Sequence, residues 1–155
     1  MKRITICRLL TTMCICCVLL SSCGAEKNET EGFVQMVNPL VTVNSAQEME
    51  AQLGYSVPVL DKDVESYIIL VIDGTAESGR IRYADGTDFN IKCGSGDISG
   101  IYGGTQESEQ VIGGVNVSFW VFEDIHYALW ETDGFTYSLA GTAISEADLA
   151  ALIEK

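Results

Sequence analysis

The sequence predicts an α+β fold: one antiparallel, meander-like sheet of about five to seven strands with two short helices. Three observations carry this expectation. Runs of β-branched and aromatic residues recur between positions 67 and 139. They are punctuated by Asp85-Gly86, Gly113-Gly114 and Asp133-Gly134, turn signals that suit hairpins and hence antiparallel pairing, while Asp73-Gly74 reads as a strand stop. Helix caps and helical spacing appear on either side of these runs.

The first helix is expected over Ser45–Leu53. Ser45 can cap the backbone N–H of Glu48, and Glu48 can reach back, the reciprocal pairing of a capping box. Ala46, Met49 and Leu53 share one face. Gly54 is placed to end the helix in a left-handed conformation, and Pro58 prevents its resumption. Before it, Val41 and Val43 form a short strand or an extended arm.

Asp61-Lys62-Asp63-Val64-Glu65 alternates carboxylates but lacks the mid-loop glycine and closing glutamate of an EF-hand, so it reads as a solvated loop. Tyr67 to Ile72 is continuous and apolar, as expected of a central strand buried on both faces. The next hairpin is fixed by register. A two-residue Asp-Gly turn would put Arg82 opposite Phe89. A three-residue loop, Ala84-Asp85-Gly86 with Gly86 left-handed, pairs Ile81 with Phe89 and Arg82 with Asp88 and keeps one face apolar. Ile91 and Cys93 follow Phe89 onto that face, which reads Cys93 as a small core residue.

Gly94 to Gly104 is glycine-rich and irregular. It has no Gly-Lys-Ser/Thr ending and no following helix, so it is not a phosphate loop. Asp97, Ser99 and Tyr102 are candidate binding residues on its rim. Glu107–Ile112 with Val115–Phe122, and Ile125–Thr132 with Phe135–Leu139, read as two further hairpins. Val115, Val117, Phe119 and Val121 alternate onto one face; Trp120 and Phe122, and with them Trp130, are placed on the other. That second face is either covered by the N-terminal arm, the preferred reading, or left as an aromatic patch with Trp120 and Trp130 as candidate contacts.

The closing helix, Ser145–Glu154, has Ser145 as cap and Ile144 with Leu149 as hydrophobic staple. Leu149, Leu152 and Ile153 make its apolar stripe. The expected partner of that stripe is the face carrying Val117, Phe119 and Val121.

The first residues carry a different message. Met1, Lys2, Arg3 and Arg8 precede an apolar run to Leu20, followed by Ser21-Ser22-Cys23. A basic start, an apolar core and small residues before a cut site are the parts of a secretory signal. The apolar run is shorter than the ~20 residues a spanning helix needs. Leu20-Ser21-Ser22-Cys23 resembles the bacterial lipobox. The resemblance implies cleavage before Cys23, lipidation of its sulfur with palmitate-type chains, and an extracytoplasmic, membrane-anchored protein. The expected organisation is a signal peptide over 1–22, a flexible tether over 23–32 and a single domain over 33–155. A tether of that size reaches on the order of 15–20 Å.

Composition narrows the function. Of six cysteines, Cys7, Cys14, Cys16 and Cys17 would leave with the signal and Cys23 would carry lipid, which leaves Cys93 without a disulfide partner. Cysteine metal chemistry is thereby excluded, and no spacing marks a metal site or a cofactor motif. The chain has 22 acidic against nine basic residues, a formal charge of −13. Three of the nine precede Cys23, so the remainder is more acidic still. Such a body repels nucleic acid. Its expected partners are the membrane, through the anchor, and an envelope protein or small ligand. His126 is the one histidine, and no nucleophile-elbow motif accompanies the serines. The expectation is a non-enzymatic binding or sensing module, with a structural or inhibitory envelope protein as the alternative and a carboxylate-dependent hydrolase behind both.

Several segments together carry a second resemblance: Met36-Val37-Asn38-Pro39-Leu40-Val41, Glu48 through Pro58, Arg80-Ile81-Arg82-Tyr83, Gly96 through Gly100, and Trp130 through Leu139 ahead of Ile144 through Leu149. They resemble an uncharacterised domain of small lipoproteins from Gram-positive gut bacteria, related to domains behind anti-sigma-factor-like membrane segments. The resemblance spans about Met36 to Glu154. It implies an extracytoplasmic α+β domain and carries over no activity and no catalytic residues.

Overall fold

A computed structural model describes residues 38–154. The tether and the lipobox, Cys23 included, lie outside them. Among the described residues, eight strands form one antiparallel sheet. They are β1 (Leu40–Val43), β2 (Val64–Ile72), β3 (Thr75–Tyr83), β4 (Asp88–Cys93), β5 (Thr105–Ile112), β6 (Val115–Phe122), β7 (Ile125–Thr132) and β8 (Phe135–Gly141). Two helices accompany them, α1 (Ala46–Leu53) and α2 (Glu146–Ile153). The fold class is as expected, but the strand count exceeds the five to seven anticipated. The topology is not a simple meander either. The order is β1-β2-β3-β4-β8-β7-β6-β5, two four-stranded meanders joined by pairing β4 with β8.

The two helices cover one face of the sheet. Down it run Tyr67, Ile81, Phe89, Leu139, Ala128 and Phe119 as successive register partners. The neighbouring row includes Ile69, Gly79, Ile91, Tyr137, Trp130 and Val117. Gly79 is where α1 lands. A Cβ there would stand 2.9 Å from both Leu53 Cδ1 and Met49 Sδ, so only a bare backbone lets the helix approach this closely. Aromatic rings fill the middle: Trp130 stacks on Tyr137 at 5.3 Å, and Phe89 stands 6.2 Å from Tyr137. The segment after α1 closes over the same face, with Val57 and Leu60 buried and the Leu60 N–H donating to the Tyr83 hydroxyl at 2.9 Å.

The caps are where the sequence places them. The Ser45 hydroxyl accepts from the Glu48 N–H at 3.2 Å, and Gly54 is left-handed at φ 79°. Glu48, however, reaches one residue further than a capping box requires and accepts from the Asn44 N–H at 2.9 Å. Ser145 caps α2 through the Asp148 N–H. Leu149 and Leu152 enter the same core as Val117 and Phe119, while Val121 stands outside it.

The three-residue hairpin also holds. Gly86 has φ 84°, Ile81 faces Phe89, and Arg82 faces Asp88 with a 3.2 Å ion pair.

Five expectations need correction. Tyr67–Ile72 belongs to a longer strand second from the edge, flanked on its outer side among the described residues by the four-residue β1, whose register reaches only to Leu70, and Ile72 is exposed. Asp73-Gly74 does not stop a strand but turns one, and β3 begins directly after it at Thr75. Asp61–Glu65 is only partly a loop, since Val64 and Glu65 lie in β2. Cys93 keeps the parity of Phe89 and Ile91 but ends its strand, and there it is exposed rather than buried. Trp130 lies opposite Val117, on the helix-covered face and 3% exposed, because Phe122 and Ile125 pair across a two-residue turn that aligns the parity of β6 and β7.

Lys62 ties three elements together. Its ammonium lies 3.0 Å from Asp85 in the β3–β4 turn and 2.6 Å from Asp148 in α2. Burial opposes its charge, yet the two carboxylates hold the ammonium above its ordinary pKa. Asp85 is held down to about 2 by the Thr87 N–H first and by Lys62 second. A depressed carboxylate stabilises the fold above its unfolded pKa and loses that contribution as pH falls through the folded value. The melting midpoint of Asp85→Asn should therefore drop less than that of the wild type between about pH 5 and about pH 2. Equal drops would mean that Asp85 is not linked to folding.

Leu152 is 4% exposed. Leu152→Ala should leave a cavity and cost about 2–5 kcal/mol by denaturant titration. An unchanged midpoint would mark α2 as peripheral to the core.

Candidate functional site

The second face of the sheet is polar along its centre. Arg80, Asn90, Ser138, Leu129 and Ser118 occupy one row as register partners. Asn90 donates to the Ser138 hydroxyl at 3.0 Å, and both residues are buried. What covers them is the 94–104 segment, which must cross this face to carry the chain from β4, in the sheet interior, to β5, at its edge. The expectation that the N-terminal arm does the covering is thus corrected for the residues described: Val41 and Val43 pair with β2 in the edge strand β1.

This strap is built from consecutive turns. The Gly94 N–H donates to the Gly134 carbonyl at 2.8 Å. Asp97 Oδ1 accepts from the Ser99 N–H at 2.7 Å, and Ser99 Oγ accepts from the Ile101 N–H at 3.1 Å. At the far end the Tyr127 hydroxyl donates to the Gly103 carbonyl at 2.7 Å, and burial pushes that phenol's pKa up. Trp120 stacks on Tyr127 at 6.1 Å.

Of the candidate residues, the strap brings three together and separates the other two. Asp97 and Tyr102 line the same cleft. Ser99 is 2% exposed and serves the strap's internal turn, so it shapes the rim without presenting its hydroxyl to it. Trp120 is half-buried on the strap side of β6. Trp130 faces the helices.

The cleft itself has a volume of about 490 Å³ and lies between the strap and the β2–β3–β4 part of the sheet. Leu70 and Ile72 form one apolar wall, and Ile98, Ile101 and Tyr102 form the other. Tyr102 is 95% exposed, an aromatic side chain held out at the mouth. Lys92, Glu77, Ser78 and Cys93 also line it. A bulge in the β2–β3 ladder puts Leu70 opposite Ser78 and Val71 opposite Ala76. Glu77 is the extra residue, and its position off the ladder is what lets it line the cleft. Sequence reasoning missed Leu70, Ile72, Glu77 and Lys92. No local signal marks them, because Tyr67–Ile72 is apolar at every position and an unbulged two-residue hairpin accommodates the spacing from Ile72 to Ile81 equally well.

Two smaller features stand elsewhere. A polar hollow of about 400 Å³ on the other side of the strap is bordered by Asp97, Asn116, Ser118 and Glu131. His126 Nδ1 lies 3.7 Å from Glu107 Oε2 beside a hollow of about 250 Å³. No third titratable group joins that pair as a metal-binding cluster among the described residues.

The strap depends on Gly104. Its φ is 113°, and a Cβ there would meet the Tyr127 hydroxyl at 2.7 Å and the Val121 carbonyl oxygen at 2.9 Å. Gly103 has nearly the same φ, 114°, but only Phe122 ring carbons nearby, at 3.4 Å or more. Gly104→Ala should therefore cost more stability than Gly103→Ala, whose backbone strain alone is of order 1–3 kcal/mol. Equal losses in denaturant titrations would mean the Tyr127 contact does not anchor the strap. No family model, curated protein or solved structure matches this chain.

Proposed function

We propose that the chain is a membrane-anchored extracytoplasmic lipoprotein whose domain acts as a non-enzymatic binding module through the cleft beneath the strap. The observation that carries the binding role is the apolar mouth: Ile72, 49% exposed, and Tyr102, 95% exposed, sit at one cleft that also holds charged side chains. A concave, largely apolar site with a few polar groups is the usual form of a small-ligand site. An exposed apolar cluster otherwise only costs solubility.

The anchoring role is supported by the Leu20-Ser21-Ser22-Cys23 pattern after a basic and apolar start. The acidity fits a body that stays off an anionic membrane except at its anchor. The non-enzymatic reading rests on His126, which has Glu107 beside it at 3.7 Å and Thr142 lining the same hollow, but among the described residues no hydroxyl or thiol hydrogen-bonded to it as an activated nucleophile would be.

Two measurements test the two halves separately. With labelled palmitate in a bacterial host, Cys23→Ala should lose the label; label retained in this variant would overturn the anchored reading. Native mass spectrometry of the full chain released from membranes should show a bound small ligand that Ile101→Asp removes. Identical spectra for wild type and Ile101→Asp would overturn the binding reading.

A further inference from the structure

We propose that the cleft takes a short apolar peptide with free termini, its carboxylate toward Lys92 and its ammonium toward Glu77 and Asp97. This rests on the binding-module reading and specifies its ligand.

The argument starts from charge. Lys62, Arg80 and Arg82 each lie within 4.0 Å of a carboxylate. Lys92 is the one basic side chain among the described residues without such a partner, in a chain of strong acidic excess. It lines the cleft together with two carboxylates, Glu77 and Asp97. None of the three pairs with another within the ion-pair distance. Opposite charges that share a cleft and stay apart leave a gap for a ligand carrying both signs. Asp97 Oδ1 accepts from the Ser99 N–H, which ties that carboxylate to the strap. Glu77 is displaced from the ladder by the bulge.

Shape and polarity then select among zwitterions. The same cleft is lined by Leu70, Ile72, Ile98 and Ile101, which reward apolar side chains rather than sugar hydroxyls. The volume of about 490 Å³ falls within the ~300–1,000 Å³ range of small-ligand sites. A simple fatty acid would satisfy Lys92 but leave two carboxylates beside its chain. A simple cation would leave Lys92 unmatched. A peptide with two charged ends and aliphatic side chains meets every group.

The test is isothermal titration of the full chain in detergent with three probes: trileucine, N-acetyl-trileucine, which lacks the ammonium, and trileucine amide, which lacks the carboxylate. Trileucine should bind, and each capped form should bind at least about tenfold more weakly, the size expected of one partly exposed charge contact of about 1.4 kcal/mol. Lys92→Gln should abolish the difference between trileucine and its amide. Glu77→Gln combined with Asp97→Asn should abolish the difference between trileucine and the acetylated form. Lys92 makes no ion pair among the described residues, so its substitution should leave the melting midpoint unchanged, which separates binding from folding. Equal affinity for all three probes would overturn the zwitterion assignment while leaving an apolar binding cleft. No binding of trileucine would overturn it too, and the binding-module reading would still stand or fall on the ligand seen by mass spectrometry in the wild type and lost in Ile101→Asp.

Discussion

The pairing of β4 with β8 is the constraint on which the rest of the structure depends. Had β5 followed β4 in space, the chain would be one long meander with short turns throughout. Instead β8 occupies that place, and β5 lies at the far edge, four strand spacings away. At about 4.8 Å per spacing the gap is roughly 19 Å. The eleven residues 94–104 could span up to about 36–40 Å if extended. The excess length lets the segment wander toward β2 and β3 before it turns back to Tyr127. A shorter crossover would lie flat on β8, β7 and β6 and leave no cleft beside β2. The intervening hairpins lower the entropic cost of the β4–β8 contact, because three strands with local turns bring Phe135 back toward Cys93.

The two faces of the sheet solve burial differently. The helix side is closed by large apolar groups: rings at the centre, Met49 and Leu53 over Gly79, and Leu149 and Leu152 in one cluster with Val117. It excludes water by packing. The strap side buries polar groups and pairs several of them with each other, as Asn90 does with Ser138 and as the Thr136 hydroxyl does by donating to the Gly94 carbonyl at 2.6 Å, while Arg80 Nε and Trp120 Nε1 lie buried there without a hydrogen-bond partner among the described residues. Such a cover gains little from hydrophobic burial and depends on directional bonds at its two ends. Local opening free energies follow local contact density. The strap therefore belongs to the less stable part of the fold, the part from which ligand-binding segments are drawn.

What was legible in the sequence is what local chemistry dictates. Ser45, Gly54 and Ser145 mark helix ends because the unpaired backbone groups there need partners within a few residues. Gly86 and the parity of Ile81 and Phe89 fixed a hairpin register for the same reason. Trp130 shows how a local gap propagates. The turn at Glu123-Asp124 has no glycine, and Glu123 takes φ 54°, a conformation unusual for glutamate. With that turn recognised, Phe122 would pair with Ile125, and counting inward would put Trp130 opposite Val117. Cys93 failed by position rather than parity, since alternation says which face a residue takes but not whether the strand has already left the core. The cleft was not legible because it depends on β4 meeting β8, a contact between segments more than forty residues apart that no local pattern encodes.

The charge distribution gives the acidity a structural meaning beyond solubility. A body with so many carboxylates repels itself, and its few cations are worth most where each offsets several acids at once. Lys62 does this between Asp85 and Asp148, partners 23 and 86 residues away in sequence. Asp88 in turn receives both Arg80, at 3.6 Å, and Arg82. These cations hold turns and a helix onto the sheet, where carboxylates would otherwise drive them apart. Arg80, Arg82 and Lys92 all stand on the strap side of β3 and β4, at alternate positions of adjacent strands. The first two share the single carboxylate of Asp88 across the β3–β4 pair. Lys92 lies at the other end of the same row system, beyond the reach of Asp88, where the bulge at Glu77 and the turn at Asp97 hold the nearest carboxylates off the ladder. Among the described residues the cation without a carboxylate partner is thus the one that lines the cleft, and the bulge that brings Glu77 to the cleft keeps that carboxylate off the ladder.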